Sequence, residues 1–203
     1  MTFAIFLVIA YLIGSIPFCL LLGKLKGVDI RRVGSGNSGA TNLTRVAGPI
    51  YGLVGYILDA VKGLVVVSIF WNTPNAQLWQ AVVVGLVAVI AHVFPIYTKK
   101  GGKGVATSGG VFLVFSFWGF LGALAVWLIV VGKTQYVSLG SVLAAASLPV
   151  IQLIRGNAWS EENIYITIFA FVLFMVIVFT HRENISRLKK GQENKINLKR
   201  KSA

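Results

Sequence analysis

The run VATSGGVFLVFSFWGFLGALAVWLIVV, Val105–Val131, contains no charged residue and decides how many times the chain crosses a bilayer. Five more apolar runs surround it, at about 2–22, 49–71, 77–96, 137–154 and 163–180. A spanning helix needs roughly 20 apolar residues. If Val105–Val131 were one helix, the chain would cross six times. The tail after His181 would then lie opposite Lys24, Lys26, Arg31, Arg32 and Arg45. That tail carries Arg182, Arg187, Lys189, Lys190, Lys195, Lys199, Arg200 and Lys201, and basic residues gather on the cytoplasmic side. Two short helices turning near Trp118-Gly119 remove the conflict. Each would have about 13 residues and reach about 20 Å at a rise of ~1.5 Å per residue. That is short of a hydrocarbon core of ~30 Å, so the turn is buried or the bilayer is locally thin. The expected fold is all-α: a polytopic membrane protein with a seven-helix transmembrane bundle, two of its helices short and lying within 105–131. Its N-terminus is outside and its C-terminus cytoplasmic. The loops then left outside, 72–76 and 155–162, hold one basic residue, Arg155, beside Glu161 and Glu162.

Composition agrees. Of 203 residues, 56% are hydrophobic and 12% charged, with mean hydropathy +0.80; soluble domains carry about 25% charged residues. Nineteen Lys and Arg against six Asp and Glu give a net charge of +13. In a soluble protein that would suggest nucleic acid. Here the positive-inside bias accounts for much of it, and the excess attracts anionic lipids or substrates, so no nucleic acid is expected. Cys19 is alone, which excludes an intrachain disulfide and leaves a packing role. No Lys or Arg precedes Lys24, so the first run is read as a retained helix rather than a cleaved leader. Residues 1–185 are expected to form a single transmembrane domain. Residues 186–203 are expected to be a basic cytoplasmic tail, partly disordered beyond about 195.

Three polar segments fall on the basic side. The first is RRVGSGNSGATNLTR, Arg31–Arg45. Gly34, Gly36 and Gly39 allow close backbone approach, while Ser35, Asn37, Ser38, Thr41 and Asn42 supply donors. Arg45 adds a fork suited to phosphate. The competing account is a tight turn with helix caps at Asp29, Ser35 and Thr41; both arginines and the Asn/Thr cluster favour a ligand. The second is HVFPIYTKKGGKGVATSGG, His92–Gly110. Lys103 sits between glycines just before a helix start at Val105, which makes an anion site. A nucleotide-binding P-loop needs Ser or Thr after the Lys, and Gly104 stands there. Lys99 and Lys100 read as topology signals, and His92 as either structural or functional. The third is HRENISRLKKGQE, His181–Glu193, where His181, Arg182 and Asn184 leave the last span. Basic anchoring explains its cations but not its Asn and Glu. Asp59 and Lys62 lie at i, i+3 inside the second span, where an ion pair is expected. Ser138 and Ser141 either cap the helix they begin or line the site.

Much chemistry is excluded. The two histidines and six carboxylates lack metal-ligand spacing, so no metal and no cofactor are expected. No GxSxG elbow occurs. A His-x4-Asp pair would need Asp where Tyr97 and Ser186 stand. What remains is cations, amides and hydroxyls around anions, able to position reactants and stabilise charge.

Taken together, the segments resemble the bacterial acyl-phosphate:glycerol-3-phosphate acyltransferases, the PlsY family. The resemblance runs nearly end to end, through YLIGSIPF (11–18), DIRRVGSGNSGATNLTRVAG (29–48), LDAVKG (58–63), AHVFPIYTKKGGKGVATSGG (91–110), YVSLGS (136–141) and HRENISRLKKGQE (181–193). Lys99 departs from it, standing where relatives often have an aromatic. The resemblance implies a seven-helix enzyme of the bacterial cytoplasmic (inner) membrane with its site at the cytoplasmic face. It would move a fatty acyl group from acyl phosphate to the sn-1 hydroxyl of glycerol 3-phosphate, giving lysophosphatidic acid and phosphate. Ser35, Arg45, Lys103 and His181 match phosphate-binding positions, and Ser141 and Asn184 positions near both substrates. Of these, Ser35, Arg45, Lys103, His181 and Asn184 form the expected catalytic set. Gly34, Gly36, Asn37, Thr41, Asn42, His92, Ser141 and Glu193 form the expected substrate-binding set. The mechanism expected is substrate-assisted, without a protein nucleophile. The expected partners are glycerol 3-phosphate, acyl phosphate and membrane lipids, and the expected state is a monomer. The alternatives are a transporter of a phosphorylated solute and a lipid-binding scaffold. A transporter would place polar groups near the midplane on broken helices; a scaffold leaves the Ser/Asn/Thr-rich loop unexplained.

Overall fold

The structure is a computed structural model that describes residues 2–98, 100–155, 160 and 163–196. Lys99, Glu161, Glu162, Lys199, Arg200 and Lys201 lie outside the described residues. Among the described residues every regular element is a helix: α1 (Thr2–Gly14), α2 (Phe18–Leu25), α3 (Ala40–Ala47), α4 (Pro49–Trp71), α5 (Leu78–Val93), α6 (Val105–Phe115), α7 (Phe117–Thr134), α8 (Val137–Ile154), α9 (Ile164–Thr180) and α10 (Arg182–Lys189).

The deciding run splits in two, as the charges require, but not where expected. The break is at Ser116 (φ −153°, ψ 88°), whose hydroxyl accepts from the Gly119 N–H at 3.3 Å and caps α7. The pieces are therefore unequal, 11 residues in α6 and 18 in α7. The first apolar run was expected to be one helix and is two. Pro17 lacks an N–H and disfavours helical backbone at Ile16, so α1 ends before Ser15-Ile16-Pro17 and α2 starts after it. Across that break Phe3–Leu25 remains apolar enough to cross a membrane, as do α4, α7 and α8. Helix α9 meets α10 at a bend of 62°, at His181.

The inner faces pack around Phe70, Phe112, Phe169, Val66, Val84 and Leu173, with Phe112 and Phe169 stacked at 6.2 Å between centroids. Helices α4 and α6 approach so closely that a methyl group at Gly110 would collide with the Ala60 carbonyl. Leu25, Ile50, Leu53, Leu128, Ile129, Ile154 and Met175 remain exposed. Such apolar exposure is a liability in water and suits lipid. Cys19 is buried as expected, and the Asp59–Lys62 ion pair forms at 2.8 Å.

Candidate active site

Four chain segments, from three regions far apart in sequence, meet at one end of the bundle. The first is the loop before α3. Asn42 organises it, accepting from the Ser35 N–H at 2.8 Å and donating to Ile30 O at 2.7 Å and Val33 O at 3.0 Å. Gly34 has φ +63°, and Asn42 Oδ1 occupies the space a Cβ would take there, so any other residue would be strained and would displace the hub. Gly34 and Gly36 shape this loop and do not line the pocket. Asn37 accepts from the Gly39 N–H, while Arg31 pairs with Asp29 at 2.7 Å. No side chain caps α3, and Thr41 lies within it. One turn further, Arg45 donates to Asn194 O at 3.1 Å, and its Nε is buried with no partner among the described residues.

Lys103 comes next, at the mouth of α6. Gly104 takes the left-handed cap conformation (φ +86°), and Thr180 donates to Lys103 O at 3.1 Å, tying this loop to the end of α9. The Lys103 ammonium contacts Asn184 Oδ1 on α10. The third and fourth segments are the α9–α10 junction and the strap 191–196. Glu193 is the hub between them: it accepts from Asn184 at 2.6 Å, Ser138 at 2.8 Å and Arg187 at 2.8 Å. Burial pushes its carboxyl up, but these hydrogen bonds outweigh that and leave it below the usual range.

The resulting pocket, about 800 Å³ and open to solvent, is lined by Ser35, Asn37, Thr41, Asn42, Arg45, His92, Lys103, Ser141, His181, Asn184 and Glu193. All expected site residues except Gly34 and Gly36 therefore line this one pocket. Several lining residues were not singled out from sequence. Tyr56 and Trp127 border the polar pocket and two apolar crevices of about 580 and 890 Å³. Tyr56 precedes Asp59 by three residues and so shares its helix face, a signal present in the sequence; nothing marks Trp127. The 580 Å³ crevice runs inward along Phe112, Phe120, Leu148 and Leu173 and also shares Ser141 with the polar pocket.

Electrostatics favour an anion. Burial pushes the Lys103 amine down to about 8, with Arg187 and Arg45 adding to the fall against Glu193 and Glu183. Burial, then Lys103, pushes His181 down to about 4. His181 Nδ1 lies 2.9 Å from Ile177 O. A carbonyl can only accept, so Nδ1 carries the proton and the neutral ring offers Nε2 as an acceptor.

A helical bundle with a lipid-compatible exterior, and a cationic pocket opening into apolar crevices, defines an integral membrane protein built to bring an anionic headgroup to an apolar chain. The model of the family "Glycerol-3-phosphate acyltransferase" matches residues 4–191. The glycerol-3-phosphate acyltransferase of Trichlorobacter lovleyi is 46% identical over 187 residues, covering 92% of this chain and 93% of that one. That of Geobacter sulfurreducens is 44% identical over 188 residues, covering 92% and 94%. The crystal structure of PlsY, an integral membrane glycerol 3-phosphate acyltransferase, in its glycerol 3-phosphate form superposes with a TM-score of 0.89. It is 37% identical and covers 97% of this chain and 96% of that one. The lysophosphatidic acid form gives 0.88 at 36% identity, covering 98% and 97%. The chain belongs to the glycerol-3-phosphate acyltransferase family, that of PlsY.

Proposed function

We propose that this chain transfers a fatty acyl group from acyl phosphate to the sn-1 hydroxyl of glycerol 3-phosphate, releasing lysophosphatidic acid and phosphate. The observation that carries it is the convergence of Arg45, Lys103, His181 and Asn184 on one pocket that shares Tyr56, Trp127 and Ser141 with an apolar crevice. A pocket for two phosphates must adjoin a place for an acyl chain, and this one does. The hydroxyl oxygen attacks the acyl carbonyl carbon, a new C–O ester bond forms, the C–O bond to phosphate breaks, and the hydroxyl proton passes to a phosphate oxygen. Arg45 and Lys103 hold the phosphates, Ser35 and Asn184 orient them, and Thr41, Asn37, Asn42, His92, Ser141 and Glu193 complete the binding walls. A histidine pushed down to about 4 is a poor proton acceptor at neutral pH, which supports proton transfer to substrate. Acyl phosphate is itself an activated mixed anhydride, so the protein supplies positioning and charge stabilisation.

The same reading places the pocket at the cytoplasmic face of the bacterial inner membrane. It counts seven crossings (α1–α2 together, then α4 to α9), with the N-terminus outside, and takes the enzyme as a monomer, since one chain supplies every polar group of the site. Residues 1–185 are the transmembrane domain, with 186–203 appended; the strap 191–196 within that appendage folds over the pocket.

The pH dependence follows from Lys103. Its cation is present below its pKa of about 8 and lost above it, so kcat/KM is expected to fall as pH rises past about 8. Lys103→Arg, with a guanidinium that stays charged, is expected to abolish that alkaline limb; a limb unchanged in the variant would exclude Lys103 as its source. The reaction itself is tested by offering purified, lipid-reconstituted protein labelled glycerol 3-phosphate with either acyl phosphate or an acyl thioester. Labelled lysophosphatidic acid is expected from acyl phosphate alone. Product from the thioester alone would overturn the donor assignment.

A further inference from the structure

Two charges sit deep in α4, where ionisable groups are costly and persist for a reason. Asp59 and Lys62 are 2% and 4% exposed. They belong to a larger cluster. Lys62 Nζ lies 2.8 Å from Asp59 Oδ1 and donates to Ile16 O, at 2.8 Å, beside the Pro17 break between α1 and α2. Cys19 Sγ donates to Asp59 Oδ2 at 3.1 Å, and His92 Nδ1 faces Asp59 Oδ1 at 3.6 Å. Thr107 donates its hydroxyl to the Asp59 backbone carbonyl at 2.9 Å.

The two last contacts bracket Lys103. His92 lies at the end of α5, before the loop, and Thr107 in the first turn of α6, after it. The loop itself hangs on α5: Gly101 N–H donates to Val93 O and Gly102 N–H to His92 O, both at 3.2 Å. The other edge of the imidazole abuts Gly102, where a methyl group would collide with His92 Nε2. Asp59 thus meets both flanks of the segment that presents Lys103, through its carboxylate at His92 and through its backbone carbonyl at Thr107. Replacing a buried ion pair by apolar residues is often neutral for stability, so a stabilising role alone is a weak reason to keep two charges here. Placing a cation against a phosphate is a stronger one, because the attraction falls with distance and a displaced cation holds the phosphate less tightly.

We propose that Asp59 and Lys62 are positioning residues that act through His92 to set the Lys103 cation in the pocket. The inference rests on the reading that Lys103 holds a substrate phosphate. The test is steady-state kinetics on the full chain in lipid with acyl phosphate and glycerol 3-phosphate. Asp59→Asn/Lys62→Met removes both charges together. It is expected to fold and to raise the KM of one phosphate substrate about tenfold or more, while kcat changes little. His92→Gln is expected to give the same split, and the triple variant no more than either, because groups acting as a unit are non-additive. If the double variant does not fold, Asp59→Glu, which keeps both charges but moves the carboxylate by one methylene, takes its place with the same expected split. Unchanged KM values in a folded variant, or effects that multiply with His92→Gln, overturn the proposal. Should Lys103→Met itself retain the unmodified enzyme's KM values, the reading beneath it fails instead.

Discussion

Lys103→Met is expected to lower kcat/KM by about 100- to 1,000-fold while leaving the protein folded. Loss of one preorganised donor at a site of developing charge costs this much in other enzymes, and Lys103 adds a full charge in a partly desolvated pocket. Methionine keeps the length and apolar body of the side chain, so packing is retained. The lost contact to Asn184 is a modest part of the effect, because Asn184 keeps its bond to Glu193. Lys103→Arg should retain much more activity, since charge is kept and geometry alone changes. Kinetics for both substrates, with thermal unfolding as a control, checks this; a folded Met variant with unimpaired kcat/KM would place the phosphates elsewhere.

Glu193→Ala is expected to be the most damaging single change to the fold of the site. The carboxylate side chain is 4% exposed and joins α8, α10 and the strap through Ser138, Asn184 and Arg187. Removing one partner of a fully buried charge pair costs roughly 3–5 kcal/mol; Arg187 is 35% exposed, so water compensates part of its charge and the cost here is smaller. The strap would also lose its anchor, and with it the Asn194 carbonyl that Arg45 grips and the Ile196 N–H bond to Gln135 O. Both the unfolding temperature and activity should fall. Glu193→Gln keeps two polar atoms at the hub and should lose less of each. An Ala variant with the unfolding temperature of the unmodified protein would show that the hub does not hold the strap.

Much of this was legible in the amino-acid order, for physical reasons that differ by residue. The split of Val105–Val131 could be read because charge placement is a long-range signal that tolerates errors of a residue or two. The break position could not, because it depends on Ser116 turning its hydroxyl back to cap α7, a local competition that hydropathy does not report. The Pro17 break has a sequence signal, a proline inside an apolar run, which hydropathy does not register. Arg45, Lys103, His181 and Asn184 stood out as polar residues at the ends of apolar runs, and they do meet in one pocket. Asn42 stood out equally, yet its side chain spends three hydrogen bonds on its own loop. Residue type alone does not separate a ligand group from the strut beside it. Trp127 and the folded strap were invisible, because each matters through tertiary contact with Val131, Val137 and Ile196.

The central claim is that this pocket brings acyl phosphate and glycerol 3-phosphate together for direct transfer. Its most direct test is the stoichiometry of one turnover series by purified, lipid-reconstituted enzyme, following lysophosphatidic acid and inorganic phosphate together. The account predicts equal amounts of both from acyl phosphate and glycerol 3-phosphate, with phosphate release requiring the acceptor and collapsing in Lys103→Met. Phosphate released without acceptor, or no lysophosphatidic acid from these two substrates, would contradict it.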